Sequence, residues 1–151
     1  MSDAIATNKQ AFRDYFILDK LEAGIELKGS EVKSLRDGHA NLQDAFAKIE
    51  DSQIVLYNLH ISPYAQASYL NVEPTRTRRL LLHKKQIRKL DAQISQGGLA
   101  LLPLKMYFNS KGLVKVEIAL GKGKKSYDKR ESIKKREVDR KIRQAMKSRR
   151  R

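Results

Sequence analysis

Polar and apolar positions alternate most cleanly near the end of the chain. Val114, Val116, Ile118 and Leu120 interleave with Lys115, Glu117 and Ala119. A period of two is that of a half-buried strand, and residues 109–112 read as the turn before it. Residues 14–28 carry the same pattern in two pieces with a weak break at Asp19 and Lys20; Ala23, Ile25 and Leu27 fall on one face. Two apolar runs, 44–50 and 53–60, flank Glu50, Asp51 and Ser52 and predict a hairpin, which Pro63 closes. Residues 80–82 form a short buried strand. Residues 99–108 form a strongly apolar one in which Pro103 marks an edge or a bulge.

Two stretches switch to a helical period. Ser30 is a suitable cap for a short helix over 31–36, which buries Val32 and Leu35, presents Lys33 and Arg36 and stops at Gly38. A second helix spans about 84–96 with Ile87, Leu90 and Ile94 on one side, stopped by Gly97 and Gly98. Residues 62–77 keep no period and are punctuated by Pro63, Asn71 and Pro74, the signature of a long, mobile surface loop. Residues 1–11 are polar and read as loose. The sum is a mainly β chain: a small antiparallel barrel of the oligonucleotide-binding (OB) type, with two or three flanking helices and a basic C-terminal tail.

Charge sharpens this picture. The 151 residues carry a formal net charge of +15. From Lys122 onward, 15 Lys and Arg face 4 Asp and Glu, a net of +11; residues 1–121 hold 17 against 13, a net of +4. The chain therefore divides into a domain over 1–121 and a tail over 122–151. Gly121 and Gly123 among Lys122, Lys124 and Lys125 read as a flexible, cationic hinge suited to a polyanion. Residues 131–146 have helix-forming composition with charge on every face, so that helix gains order on a polyanionic surface rather than by burying itself. Nucleic acid is the expected partner. A membrane surface is a poor one, because Ile133, Val138, Ile142 and Met146 make too thin an apolar stripe. The absence of cysteine, of a spanning segment and of an apolar signal core leads to the expectation of a cytoplasmic, monomeric protein without disulfides.

Residues with chemistry fit binding better than catalysis. His39, His60 and His83 stand singly, with no zinc spacing and no paired ribonuclease arrangement. Glu31, Asp37 and Asp44 read as caps and turn residues, and no metal or other cofactor is expected. The glycine-lysine run fails as a P-loop, which requires glycine at Ile118 and a hydroxyl residue at Lys125. Tyr57, Asn58, His60 and Tyr64 place stacking and hydrogen-bonding groups at a strand end beside a loop. Lys33, Arg36, Arg76, Arg78, Arg79, Lys84 and Lys85 form one basic face if the first helix lies beside residues 76–85. Two other readings are a generic ribosomal or rRNA-binding basic protein, and an RNA-cleaving enzyme built on His60 or His83.

Four segments in order, GSEVKSLR at 29–36, YNLHISPY at 57–64, RLLLH at 79–83 and KGKKSYDKR at 122–130, closely resemble the small protein B (SmpB) family, the SsrA-binding proteins of bacteria. The resemblance spans residues 8–151. It implies a non-enzymatic partner of transfer-messenger RNA (tmRNA) in trans-translation, whose barrel grips the tRNA-like domain and stands in for an anticodon arm. It implies a tail that is unstructured when free and becomes a helix in the empty mRNA channel of a stalled ribosome. Glu22, Leu81 and His83 match positions important for RNA binding; His83 stands where relatives often have Asn. Lys122, Gly123, Lys124, Lys125, Tyr127, Asp128, Lys129 and Arg130 match the tail element that works at the decoding centre, with Tyr127 where some members have His.

Overall fold

A computed structural model describes residues 4–64 and 72–149; at 126–129 and 132 it describes the backbone alone. Among the described residues, nine strands and four helices follow in the order β1 (Ala4–Thr7), α1 (Lys9–Asp14), β2 (Tyr15–Ile25), α2 (Gly29–Arg36), β3 (Ala40–Asn41), β4 (Phe46–Glu50), β5 (Gln53–Tyr57), β6 (His60–Ile61), β7 (Arg78–Leu81), α3 (Lys84–Ser95), β8 (Leu99–Phe108), β9 (Val114–Gly123) and α4 (Ser126–Arg149). Seven strands form one antiparallel sheet in the order β1-β8-β4-β5-β7-β2-β9, and β9 pairs again with β8. That second pairing closes six of the strands into a ring, the barrel expected from the alternation, with β1 added outside on β8. β3 and β6 make a separate two-stranded ribbon.

The inward positions do what their period requires, whereas Ala119, expected on the wet face, is 1% exposed in a second apolar cluster with Ala11, Leu102 and Leu104. Val116, Ile118 and Leu120 point inward and are at most 2% exposed, as are Ala23, Ile54, Leu56, Leu80 and Leu101. Each large apolar side chain removed from water this way contributes about 1.5–3 kcal/mol. The hairpin at 50–53 turns through Asp51 and Ser52, both at positive φ (49° and 62°), the backbone that matches the twist of the paired strands. Gly38 (φ 77°) ends α2 as anticipated, its N–H reaching Leu35 O at 2.9 Å. Pro103 sits at a register shift between β8 and β9, so it marks a bulge. It does not mark an edge, since β8 has neighbours on both sides.

Several expectations change. Residues 4–14 form β1 and α1 instead of a loose arm. Asn8 is the fastener: it is buried, its Oδ1 accepts the Ala11 N–H at 3.1 Å, and its Nδ2 donates to Pro103 O at 3.0 Å. The cap of α2 is not Ser30; Glu31 reaches back to accept the Lys28 N–H at 2.9 Å. Gly121 and Gly123 belong to β9, not to a hinge, and Lys122 lies between them paired with Phe16 and Leu99. Gly121 is needed for close approach: a Cβ there would stand 3.1 Å from both Leu102 Cδ1 and Tyr15 Cβ. The tail leaves the barrel at Lys124, whose N–H donates to Asp14 O at 2.9 Å. α4 then runs for 24 residues past α1. Of the loop expected over 62–77, residues 65–71 lie outside the described residues.

Candidate nucleic-acid interface

β2 and β7 pair with Gly24 opposite Leu81, and this register decides what the outer wall of the barrel presents. Ala23 and Ile25 turn inward, so Glu22 and Gly24 turn outward. Gly24 leaves room for its neighbour: a Cβ would come within 3.2 Å of Leu81 Cβ. Leu81 alternates with the buried Leu80 and is 48% exposed, an unusual place for leucine in a strand otherwise well packed. His83 follows as the residue capping α3, its N–H held by Gln86 Oε1 at 3.1 Å. Glu22, Gly24, Leu81, His83, Gln86 and Lys115 thereby line one concavity of about 380 Å3. An apolar shelf adjoins it, made by Leu27, Val32, Leu81 and the exposed Leu113.

The Glu22 carboxylate is not loose. Tyr107, two strands away on β8, donates its hydroxyl to Glu22 Oε2. Desolvation first, and then the hydrogen bond and charge of Glu22, push the Tyr107 phenol up to about 12, so it remains a donor throughout the neutral range. Glu117 lies opposite Glu22 in the register, and Lys105 (3.5 Å) and Lys20 (3.9 Å) offset its charge. The concavity is therefore one fixed carboxylate, one imidazole, one lysine and an exposed leucine. Such a set can hydrogen-bond and pack against sugar and base edges at a shaped RNA surface.

The anticipated residues separate into groups. Glu22, Leu81 and His83, far apart in the chain, come together. Lys84 opens α3 beside them, exposed and with no ion pair among the described residues. Arg79 is exposed but paired with Glu26 at 3.0 Å. Lys33 and Arg36 are exposed on α2, Lys33 with its Nζ 5.8 Å from the centroid of the Tyr64 ring. Asn58 and His60 line no part of this concavity. Asn58 is a turn residue (φ 62°) whose amide reaches Asp44 O at 3.4 Å, and His60 pairs with Asn41 in the small ribbon. Tyr57 stacks on Phe46, with centroids 5.3 Å apart, and donates to Glu50, which raises its pKa.

Arg78 is a correction. It is 1% exposed, so it is no part of a basic surface. Its Nε and Nη2 meet Glu31 Oε2 at 2.6 and 2.5 Å, Nη1 donates to Leu59 O at 2.6 Å, and Nη2 donates to Pro74 O at 3.0 Å. Arg76 closes on the other oxygen of Glu31. α2 does lie beside residues 76–78, but two of the cations that drew attention there hold it in place. Burial works against the charged Glu31; Arg76, the Lys28 N–H and Arg78 outweigh it and hold the carboxyl below the ordinary range.

Of the tail residues, Lys122 and Gly123 end β9, while Lys124 bonds Phe12 O at 3.4 Å and lies 5.0 Å from the Phe16 ring centroid. Lys125 and Arg130 are exposed; Tyr127, Asp128 and Lys129 lie in α4, their side chains outside the described atoms. Sequence reasoning missed Gly24, Gln86, Tyr107 and Leu113. Lys115 alone had a signal, its place on the wet face of the alternating last strand. Among the described residues, no cluster of three or more His, Cys, Asp or Glu is placed to hold a metal ion, and no helix is long and apolar enough to cross a membrane.

Residues 5–148 match the family model described as SmpB protein. The SsrA-binding protein of Thermosipho melanesiensis is 57% identical over 143 residues, covering 95% of this chain and 97% of that one. The SsrA-binding protein of Caldicellulosiruptor bescii is 54% identical, covering 95% and 90%. A chain of the solved structure described as "tmRNA-SmpB: a journey to the center of the bacterial ribosome" superposes with a TM-score of 0.69 at 48% identity, covering 84% of this chain and 92% of that one. With four ordered motifs, a closed antiparallel barrel and these relatives over nearly its whole length, the chain belongs to the SmpB family of SsrA-binding proteins.

Proposed function

We propose that this chain binds the tRNA-like domain of tmRNA, delivers it to stalled ribosomes and takes the place of an anticodon arm in trans-translation. It acts as a cytoplasmic binding protein, not an enzyme. The observation that carries this reading is the convergence of Glu22, Leu81 and His83 on one concavity, with Tyr107 fixing the carboxylate. The barrel reads the RNA by shape and a few polar contacts. The tail, including Tyr127, Asp128, Lys129 and Arg130, works at the decoding centre and the vacant mRNA channel, where its charge is neutralised by rRNA phosphates.

The test is competition binding, at fixed near-physiological salt, between the tRNA-like domain of tmRNA and an unstructured RNA of equal length. It uses the full chain and a chain truncated after Lys125. The cut falls there because β9 runs to Gly123 and Lys124 is bonded to Asp14. Strong preference for the folded RNA by both chains supports recognition by the barrel. Equal, steeply salt-dependent binding of both RNAs, lost with the tail, describes a generic basic protein and overturns the proposal.

A further inference from the structure

Where α4 passes α1, the barrel and the tail enclose a notch of about 440 Å3, within the size of sites that hold small ligands, about 300–1,000 Å3. It shares no residue with the concavity around Glu22. Lys9 and Arg13 of α1 and Arg136 of α4 bring three cations to its wall, with the amides of Gln10, Asn41 and Gln43 beside them and no carboxylate in the lining among the described residues. Arg13 is paired with Asp14 at 3.1 Å, whereas Lys9 and Arg136 have no ion pair among the described residues. Lys9 and Arg136, gathered from segments more than 120 residues apart and without an ion pair among the described residues, repel unless an anion joins them.

The amides add a second kind of recognition. Gln10 Oε1 is buried and, among the described residues, has no hydrogen-bond partner, so it is an acceptor waiting for a donor. Asn41 Oδ1 already accepts the Gln43 N–H at 2.7 Å, which leaves its NH2 as the group on offer. Asn8, by contrast, is committed to the floor of the notch through Ala11 and Pro103. Phosphate oxygens accept from the cations and from amide NH2 groups but offer no donor to the Gln10 Oε1 acceptor. A nucleotide, with a phosphodiester at one end and a base edge at the other, offers both.

We propose that this notch holds one unpaired RNA nucleotide, its phosphodiester among Lys9, Arg13 and Arg136 and its base edge against Gln10, Asn41 and Gln43. The choice of RNA as ligand rests on the function proposed above; the site is separate from it. A double helix is too wide for a cavity of this size, so the strand is single. Because Arg136 belongs to the tail and the other five to the barrel, an occupied notch latches α4 to α1, and the tail's direction becomes sensitive to RNA at a place other than its tip.

The test follows the side-chain amide NMR signals of the full-length protein during titration with pentauridylate and, separately, with inorganic phosphate. Pentauridylate is expected to shift Gln10, Asn41 and Gln43. Lys9→Ala and Arg136→Ala should each weaken it about tenfold and lower the slope of log K against log salt by about one. Lys111→Ala, which removes an exposed charge outside the notch, should change neither. Equal weakening by Lys111→Ala would mean diffuse charge and overturn the site. So would identical amide shifts with phosphate alone, or no shifts at all. Binding of the tRNA-like domain is measured alongside: preference retained in a protein whose amides do not respond sinks the notch alone, whereas no preference in the unaltered protein sinks the proposed function and leaves the amide shifts to judge the notch.

Discussion

Two glutamates, Glu22 and Glu31, sit nine residues apart and do opposite work. Glu31 is 3% exposed and holds two arginines, so that α2, residues 76–78 and the Leu59 carbonyl become one unit. Glu22 is exposed on the barrel wall and held by a single tyrosine, with its remaining valence turned outward. The difference teaches how to read a charged residue near a binding surface. A carboxylate surrounded by arginines has its hydrogen bonds filled and serves the fold; one fixed from behind by a neutral donor is aimed, and serves recognition.

The largest effect belongs to the inner pair. Glu31→Ala leaves Arg78 buried without a counter-charge, and the expected loss is about 3–5 kcal/mol of stability, read from urea midpoints; a loss under about 1 kcal/mol would erase the contrast. Acid should act at the same place. Because the carboxyl of Glu31 is depressed in the folded chain, its stabilisation is fully present above the ordinary value of 4.5 and disappears as pH falls through the lower folded value. Unfolding midpoints measured between pH 7 and pH 3 should drop less steeply in Glu31→Gln than in the unaltered chain.

Glu22→Ala should do the reverse: stability within about 0.5 kcal/mol of the parent, with affinity for the tRNA-like domain down about tenfold by calorimetry. Tyr107→Phe frees the same carboxylate without removing it, and about fivefold is expected, the worth of one hydrogen bond near 1 kcal/mol. No change with Tyr107→Phe would show that Glu22 needs no support. The smallest effect is spectroscopic. Absorbance titration should place Tyr107 near 12 and lower in Glu22→Gln, which removes the charge beside it.

Periodicity made most of the barrel legible, because alternation at 114–120, the turn at 50–53 and the helical spacing of Ile87, Leu90 and Ile94 are local signals. β1 and α1 were not legible. Their four and six residues are too short to carry a period, and their fastening depends on Asn8 meeting Pro103, 95 positions away. Gly121 and Gly123 misled for a related reason: glycine in a lysine-rich run reads as a hinge, and only the approach of Tyr15 shows why a strand needs it. Arg78 read as surface because its partner Glu31 lies 47 residues earlier. Within the concavity, Glu22, Leu81 and His83 came from resemblance to a family, while Tyr107 lay in a strand whose register the Pro103 bulge had hidden.

The junction at Lys124 has a metric consequence. With its root bonded to Asp14, the 24-residue α4 is a ruler about 36 Å long, graduated in steps of about 1.5 Å and 100°. Adding one residue changes both how far the tip extends and which way its side chains face. Adding seven moves the tip by about 10 Å and turns it by only about 20°. Reach and facing can therefore be varied one at a time.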